Sequence, residues 1–398
     1  MKERVLLRSL FIALWLSICA FTLSACWNQL ELTDWGFVQA AAIDQTEGGQ
    51  IRLTSQIYKP GGSSTPSMET TRGASFVDII SENPTVFGAS RDATNDLGRK
   101  LQWSHMRVLL ISEEIAAHRN IGELLDFFTR SHEPRGTTAI MITHGPASSY
   151  LSMKPLIEST IGQQLKSIEQ LAHDQSGKTM EVTLTDLSIV ANGPSSTTVI
   201  PYVNKTKDTQ EVATVTGMAI INFPKGTMSG FISSDKTPFL LMLMNNYKGG
   251  FLNLPCKKSK DDDFLSNDSF QISKLHTQIK PSLRDQELFL NIILDVEGNV
   301  GELSCSQTLN ETDINRFTTR VEQLLNKQLN DMMILLQKEK ADIIGIGTLL
   351  HRWHRDLWKK LEPDWQQHFA DSTFSIETHV HLLNSGVNAG KPFSTNQK

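Results

Sequence analysis

From Trp35 to Asp44 the chain carries a mostly apolar run that reads as a strand. Glu47-Gly48-Gly49 reads as a turn, and Ile51 to Tyr58 as the partner strand. Gly61 to Pro66 reads as a loop. Asn83-Pro84 predicts a helix start, with asparagine as cap and proline in the first position, and Gly98 its end. Arg107 to Ile111 and Thr137 to Thr143 predict short apolar strands. Ile121, Leu124, Leu125 and Phe128 predict a helix with one buried face, and Ile157, Ile161, Leu165, Ile168 and Leu171 recur at helical spacing. A Gly/Pro/Ser-rich junction at Asn192–Ser196 breaks this pattern. Strands are expected near 197–203, 211–222, 227–232 and 250–255, with a helix near 235–246 and a charged linker from Lys257 to Asp263.

The last segment has the clearest periodicity. Leu288, Leu290, Ile292, Leu294 and Val296 alternate and so share one face of a strand. A long helix follows, with Ile314, Phe317, Val321, Leu325, Met332 and Leu336 inward. Phe374, Ile376, Val380 and Leu382 predict a closing strand. The fold class expected is α+β in two to three domains, with mixed or antiparallel sheets flanked by helices. The boundaries expected are a signal segment at 1–25, an N-terminal α/β domain at 26–195, a middle α/β domain at 196–258, and a C-terminal α+β domain with the long helix at 266–386.

The N-terminus changes the picture. Lys2, Arg4 and Arg8 precede an apolar stretch from Ser9 to Ala25, which is short for a membrane span of about 20 residues. This is the three-part form of a secretory signal. It ends in Leu23-Ser24-Ala25-Cys26, the pattern that lipoprotein processing reads, so Cys26 is the expected site of a diacylglyceryl group. About eight residues separate Cys26 from the first strand, a reach of at most ~30 Å. The first domain is therefore expected near the bilayer.

Composition adds exclusions. The formal charge of the 398-residue chain is −5. Losing residues 1–25 removes three basic residues and one acidic residue, leaving −7. With no basic tail or run, nucleic acid is not an expected partner. Cys19 leaves with the signal, so Cys256 and Cys305 are the remaining thiols besides Cys26. In an exported domain they form a candidate disulfide; two small buried apolar residues is the competing reading.

Candidate chemistry is sparse. His351/His354 and His379/His381 each have the spacing of half a zinc site, but a third ligand is missing and they read as surface histidines. Gly345-x-Gly347 lacks the third glycine of a dinucleotide fingerprint, with Leu350 at that position, and reads as a break between helices. Ser131-His132-Glu133 forms no nucleophile elbow. Phe127-Phe128 and Trp353/Trp358 read as core, and so does the all-round apolar Leu240–Met244. No catalytic, metal or cofactor-binding residue is assigned.

The ordered motifs resemble a known family. Cys26-Trp27, Glu31, Ala42-Ile43-Asp44 and Leu53-Thr54-x-Gln56-Ile57-x-x-Pro60 resemble the opening of the Ger(x)C spore germination lipoproteins. Trp103-Ser104-His105-x-x-Val108, Ala116 and Leu125-Asp126-Phe127-Phe128-x-Arg130 are similar to the family's middle stretch. Asp342-Ile343-Ile344-Gly345-Ile346-Gly347 is similar to its C-terminal signature. Asn28 departs from the acidic residue common there. The resemblance implies a non-catalytic C subunit of a nutrient germinant receptor. Such a subunit has three α/β domains and is held on the outer face of the spore's inner membrane with integral-membrane A-type and B-type subunits. The alternative class is a solute-binding lipoprotein of an importer, which predicts a flexible tether and two similar lobes. A cell-wall hydrolase is a more distant third and would need an acid pair or metal motif.

Overall fold

The structure is a computed structural model that describes residues 2–23, 31–59, 76–206, 211–223, 225–256, 267–284, 287–306 and 310–384. Helix α1 spans Lys2–Leu23. A short 3₁₀ turn at Leu32–Asp34 leads directly into β1 (Trp35–Gln45), and Asp34 accepts the backbone N–H of Glu31 at 3.0 Å. β2 (Ile51–Tyr58) returns antiparallel to β1, with Gly49 at φ 79° in the connection, a conformation glycine adopts without steric cost. β3 (Phe76–Asn83) adds a further antiparallel strand that the hydrophobic pattern did not announce.

Then follow α2 (Val86–Leu97), β4 (Lys100–Gln102), β5 (Val108–Ser112), α3 (Glu113–His118), α4 (Ile121–Arg130) and β6 (Ala139–Thr143). After these come α5 (Ser148–Leu151), α6 (Ile161–Ser176), α7 (Leu184–Ala191), β7 (Thr197–Thr206), β8 (Val212–Asn222) and β9 (Thr227–Ser233). Their strands form one nine-stranded sheet in the order β3-β2-β1-β5-β6-β7-β8-β9, with β4 beside the start of β1. β1, β5, β6 and β7 are mutually parallel, and the outer strands are antiparallel. The Asn192–Ser196 junction thus lies within this sheet, because β7 follows it and pairs with β6.

Parallel strands are covered on both faces, which is why β5 and β6 are wholly buried and apolar up to their last residues, Ser112 and Thr143. On one face Ala41, Ile43, Leu109 and Ile140 pack with Val86, Ile121, Phe128 and Leu187. On the other, Ala40, Ala42, Leu110 and Met141 pack with Tyr150, Leu151, Ile161 and Leu165. A Cβ at Gly162 would lie 2.8 Å from the Ala40 Cβ, so α6 can sit this close to β1 only with glycine there.

Two helix boundaries differ from expectation. The cap of α2 is Thr85, whose hydroxyl accepts from Gly88 N at 3.0 Å; Asn83 ends β3 instead. α6 begins after its cap Thr160, which leaves Ile157 outside the helix and 92 % exposed, while Leu171 points outward at 61 %.

The second half comprises α8 (Thr237–Leu243), β10 (Gly250–Pro255), β11 (Asn267–Arg284), β12 (Glu287–Glu302), α9 (Glu311–Lys338), α10 (Ile346–Trp353), α11 (Arg355–Leu361), α12 (Trp365–Ala370) and β13 (Thr373–Asn384). Its sheet runs β10-β11-β12-β13, with β12 and β13 parallel. Asn310 caps the 28-residue α9 by accepting Asp313 N at 2.9 Å. The buried stripe Phe317, Val321, Leu325, Leu329 and Leu336 covers Leu290, Ile292 and Leu294 of β12. Leu240 to Leu243 of α8 are buried in the same core, which is continuous between the two sheets. The architecture is α+β, with mixed sheets flanked by helices.

Candidate functional site

The residues singled out by sequence do not converge on one reactive centre. Cys26, the expected lipid site, lies outside the described residues. Among those residues no helix is long and apolar enough to cross a membrane. Cys256 and Cys305 are joined as a disulfide, their Cα atoms 6.0 Å apart. It fastens the end of β10 to the segment after β12. Beside it Asp268, fully buried, accepts from Ser304 N at 2.8 Å and Cys305 N at 3.0 Å and pairs with Arg320 of α9 at 2.6 Å. Burial raises the Asp268 carboxyl, but these donors together with Ser306 outweigh it and hold the group below its ordinary range. With both sulfurs bonded to each other, this cluster is not free to bind a metal.

The histidine pairs stay apart. His351 stands with its ring 6.2 Å from Trp358, and His354 ends α10. His379 and His381 lie on β13, where His379 approaches Glu377 at 3.5 Å.

The longer motifs become contacts between elements. The Asp44 carboxylate accepts Ala147 N at 2.6 Å and Ser148 N at 2.9 Å, tying the end of β1 to α5. Gln56 donates to Leu151 O at 2.9 Å from a buried position. Trp103 meets Phe127 and Phe128 edge-on, at 5.6 and 5.5 Å between ring centroids, and Asp126 pairs with Arg130 one turn along α4 at 2.7 Å. A groove of about 620 Å³ opens there, lined by Phe87, Arg91, Lys100, Trp103 and Arg130.

The Asp342–Gly347 stretch is a helix-entry clamp. Asp342 is buried and accepts Ile346 N at 2.8 Å, Gly347 N at 2.7 Å and Trp365 Nε1 at 3.1 Å. Burial pushes its carboxyl up to about 6 against these bonds. Gly345 has φ 79°, and a Cβ at Gly347 would meet Trp365 at 2.9 Å, so the two glycines serve the backbone and not a phosphate. Just beyond, Thr348 N donates to Ser195 Oγ at 3.1 Å, which fixes α10 to the residues that precede β7. A cavity of about 850 Å³ lies at this junction, lined by Val182, Ile189, Ser195, Ile343, Arg352 and Arg355. Trp353, expected in the core, is 74 % exposed beside it; Trp358 is buried as expected.

One titratable set escaped the sequence reading. Just past the ends of β5 and β6, and beside them on the middle of β7, His144 Nδ1 lies 2.8 Å from Glu113 Oε1 and 3.0 Å from the Tyr202 hydroxyl, which donates to the other Glu113 oxygen. Burial and Glu113 raise the Tyr202 phenol far above its ordinary value, so it remains a donor. No local motif marks this cluster, because only the parallel strand order brings it together.

Comparison with known proteins decides the family. The sequence profile described as "Spore germination protein N-terminal domain" matches residues 28–205, and "Spore germination B3/ GerAC like, C-terminal" matches 216–386. The chain belongs to this spore germination family. Spore germination protein KC of Bacillus subtilis (strain 168) is 21 % identical over 96 % of this chain and 97 % of its own length. Spore germination protein B3 of the same organism is 24 % identical over 92 % and 95 %. A solved structure titled "Crystal Structure of the GerBC protein" shares the fold, with a TM-score of 0.58, 22 % identity, and coverage of 86 % of this chain and 97 % of that one. The GerAC family role is a non-enzymatic one. Among the described residues, the motifs that mark membership here carry packing, caps and contacts between elements, as the distances above describe.

Proposed function

We propose that this chain is the lipid-anchored C subunit of a nutrient germinant receptor, needed for nutrient-triggered spore germination. It sits on the outer face of the spore's inner membrane beside integral A-type and B-type subunits. The observation that carries this reading is the shortness of the tether. Glu31 is already bonded to Asp34, and β1 starts at Trp35. A lipid on Cys26 therefore keeps the large sheet within at most ~30 Å of the bilayer. A subunit held at that height acts through contact and position. The importer alternative is less well supported, because a nine-stranded mixed sheet with a parallel centre and a four-stranded, mostly antiparallel sheet are not two similar lobes around a cleft.

Two measurements test the proposal. Mass spectrometry of the mature N-terminal peptide is expected to find diacylglyceryl on Cys26. A flexible Gly/Ser insert within 28–33 is expected to impair nutrient-triggered germination while folding and lipidation persist. A normal nutrient response from the long-tether protein, or turnover of a substrate by the folded chain, would overturn the contact reading.

A further inference from the structure

The tether enters the first sheet at one particular edge. Ala40, Val108, Ala139 and Val199 lie level across β1, β5, β6 and β7: Ala40 is beside Val108, Val108 beside Ala139, and the Ile142–Tyr202 pairing carries the level to β7. Trp35 is five residues before Ala40 and Ser195 is four before Val199, so both project beyond this line on the same side. The strands in between set them apart by about 14 Å. Ser195 holds Thr348 of α10. The chain's entry and the α10–α11 helices therefore face the same way.

The chemistry along that edge is distinctive. Trp353 is 74 % exposed, while Leu350, Trp358 and Leu361 turn inward and fix the two helices. Arg352 and Arg355 flank it and form no ion pair among the described residues. Arg107 and Arg135, exposed just before β5 and β6, are likewise unpaired there, and Lys100 lies 4.7 Å over the Trp35 ring. Lys359 and Lys360 add further exposed charge on α11. The acidic groups on the edge are Glu31, Asp34, Glu133, Asp356 and Glu362, and Glu181 and Asp186 line the same cavity as Arg352 and Arg355; Asp34 is bonded to Glu31 N, Glu181 to Lys166 and Asp186 to Thr183 N. On α10 and α11 themselves, Arg352, Arg355, Lys359 and Lys360 are opposed by Asp356 alone, a local positive excess that in a chain of net charge −5 stands against the overall repulsion from an anionic surface. Tryptophan flanked by arginines has the amphipathic character that partitions to the headgroup region.

We propose that this edge is a docking face for an anionic lipid surface, with Trp353 entering the interface and Arg352 and Arg355 meeting lipid phosphates. The tether delivers the edge to the bilayer, and the docked edge supplies the second contribution that lipid anchors require for stable attachment. It also sets the orientation of the molecule, which a tether alone leaves free. This inference rests on the anchored reading above and adds a surface to it.

The test uses the full protein extracted from membranes and placed with vesicles of phosphatidylcholine, alone or mixed with phosphatidylglycerol. Amide exchange over 346–361 is expected to slow only on the phosphatidylglycerol vesicles. The double substitution Arg352→Glu, Arg355→Glu is expected to abolish that protection and to speed transfer to acceptor vesicles by roughly thirtyfold. Trp353→Ala should give a smaller acceleration. Behaviour on phosphatidylcholine alone, and the circular dichroism of each variant, should be unchanged. Equal exchange on both vesicle types would overturn the proposal. So would protection that arises only when integral partner subunits are added, which would mark a protein interface. Protein that mass spectrometry shows to lack the lipid but that still binds phosphatidylglycerol would sink the anchor and keep the docking face; protein that ignores both vesicle types would end both.

Discussion

The two sheets solve burial differently. The first is covered on both faces, so its central strands β5 and β6 are buried at every position, Val108 to Ser112 and Ala139 to Thr143, and apolar at all but the last residue of each. The second is covered on one face by α9, so β12 alternates, with Leu290, Ile292 and Leu294 inward and Asn291, Ile293 and Asp295 outward. Local apolar content therefore measures how many layers lie over a strand, and alternation measures how open it is to water. The central strands β5 and β6 of the first sheet resist change at every position, and β12 of the second at every other one.

The largest effect that sharpens this contrast comes from the cores. Leu110→Ala is expected to cost ~2–5 kcal/mol, since Leu110 is wholly buried beneath α5 and α6. Ile293→Ala, on the open face of β12, is expected to cost less than ~1 kcal/mol. Denaturant midpoints of the two variants measure the difference, and equal losses would refute the distinction. Next comes the bridge. Reduction, or Cys305→Ser, is expected to cost ~2–4 kcal/mol and to loosen the β10–β12 end first. Hydrogen exchange should show that loss confined to the second sheet and the start of α9.

A buried carboxylate in each half gives opposite pH dependence. Glu169 of α6 is fully buried near Lys166, and burial pushes it up to about 7. Its folded value lies above its unfolded value near 4.5, so it stabilises most at low pH and that contribution falls as pH rises toward 7. Glu169→Gln is expected to flatten the decline, worth up to ~3 kcal/mol. Asp268 is held below its ordinary range, so its contribution is present above the unfolded value and lost as pH falls through the folded one. Asp268→Asn should remove that acid sensitivity. Melting temperatures between acid and neutral pH measure both. The smallest effect is at the surface: Lys274→Ala breaks an exposed pair with Glu297 at 3.3 Å and is expected to change stability by less than ~1 kcal/mol.

The legibility of the fold follows the same physics. β2, β10, β12 and α9 were readable because one period ran unbroken through each. β11 was not, because bulges at Ser269/Phe270 and Ile272/Lys274 disturb its pairing. Phe270 and Ile272 face inward before the second bulge and Thr277 after it, so no single alternation spans the strand. The α2 cap was misplaced because Asn83 and Thr85 both have capping side chains, and pairing of Asn83 with Ile51 settles the competition. Trp353 was misread because helical spacing tells which residues share a face but not which face finds a partner. The family motifs were visible as words, whereas their meaning, as with Asp342 gripping two backbone amides and an indole, appears only in three dimensions.

The direction in which the chain enters β1 has a mechanical consequence. The chain enters β1 from the 3₁₀ turn at Leu32–Asp34, and β2 and β5 flank that strand on both sides. The component of a pull at Glu31 that lies along β1 acts across the hydrogen bonds to its neighbours, which must give way together in shear instead of peeling apart one by one. The same load passes through β5, β6 and β7 to Ser195 and so to α10. A load applied at the start of β1 is in this way shared among the central strands before it reaches α10.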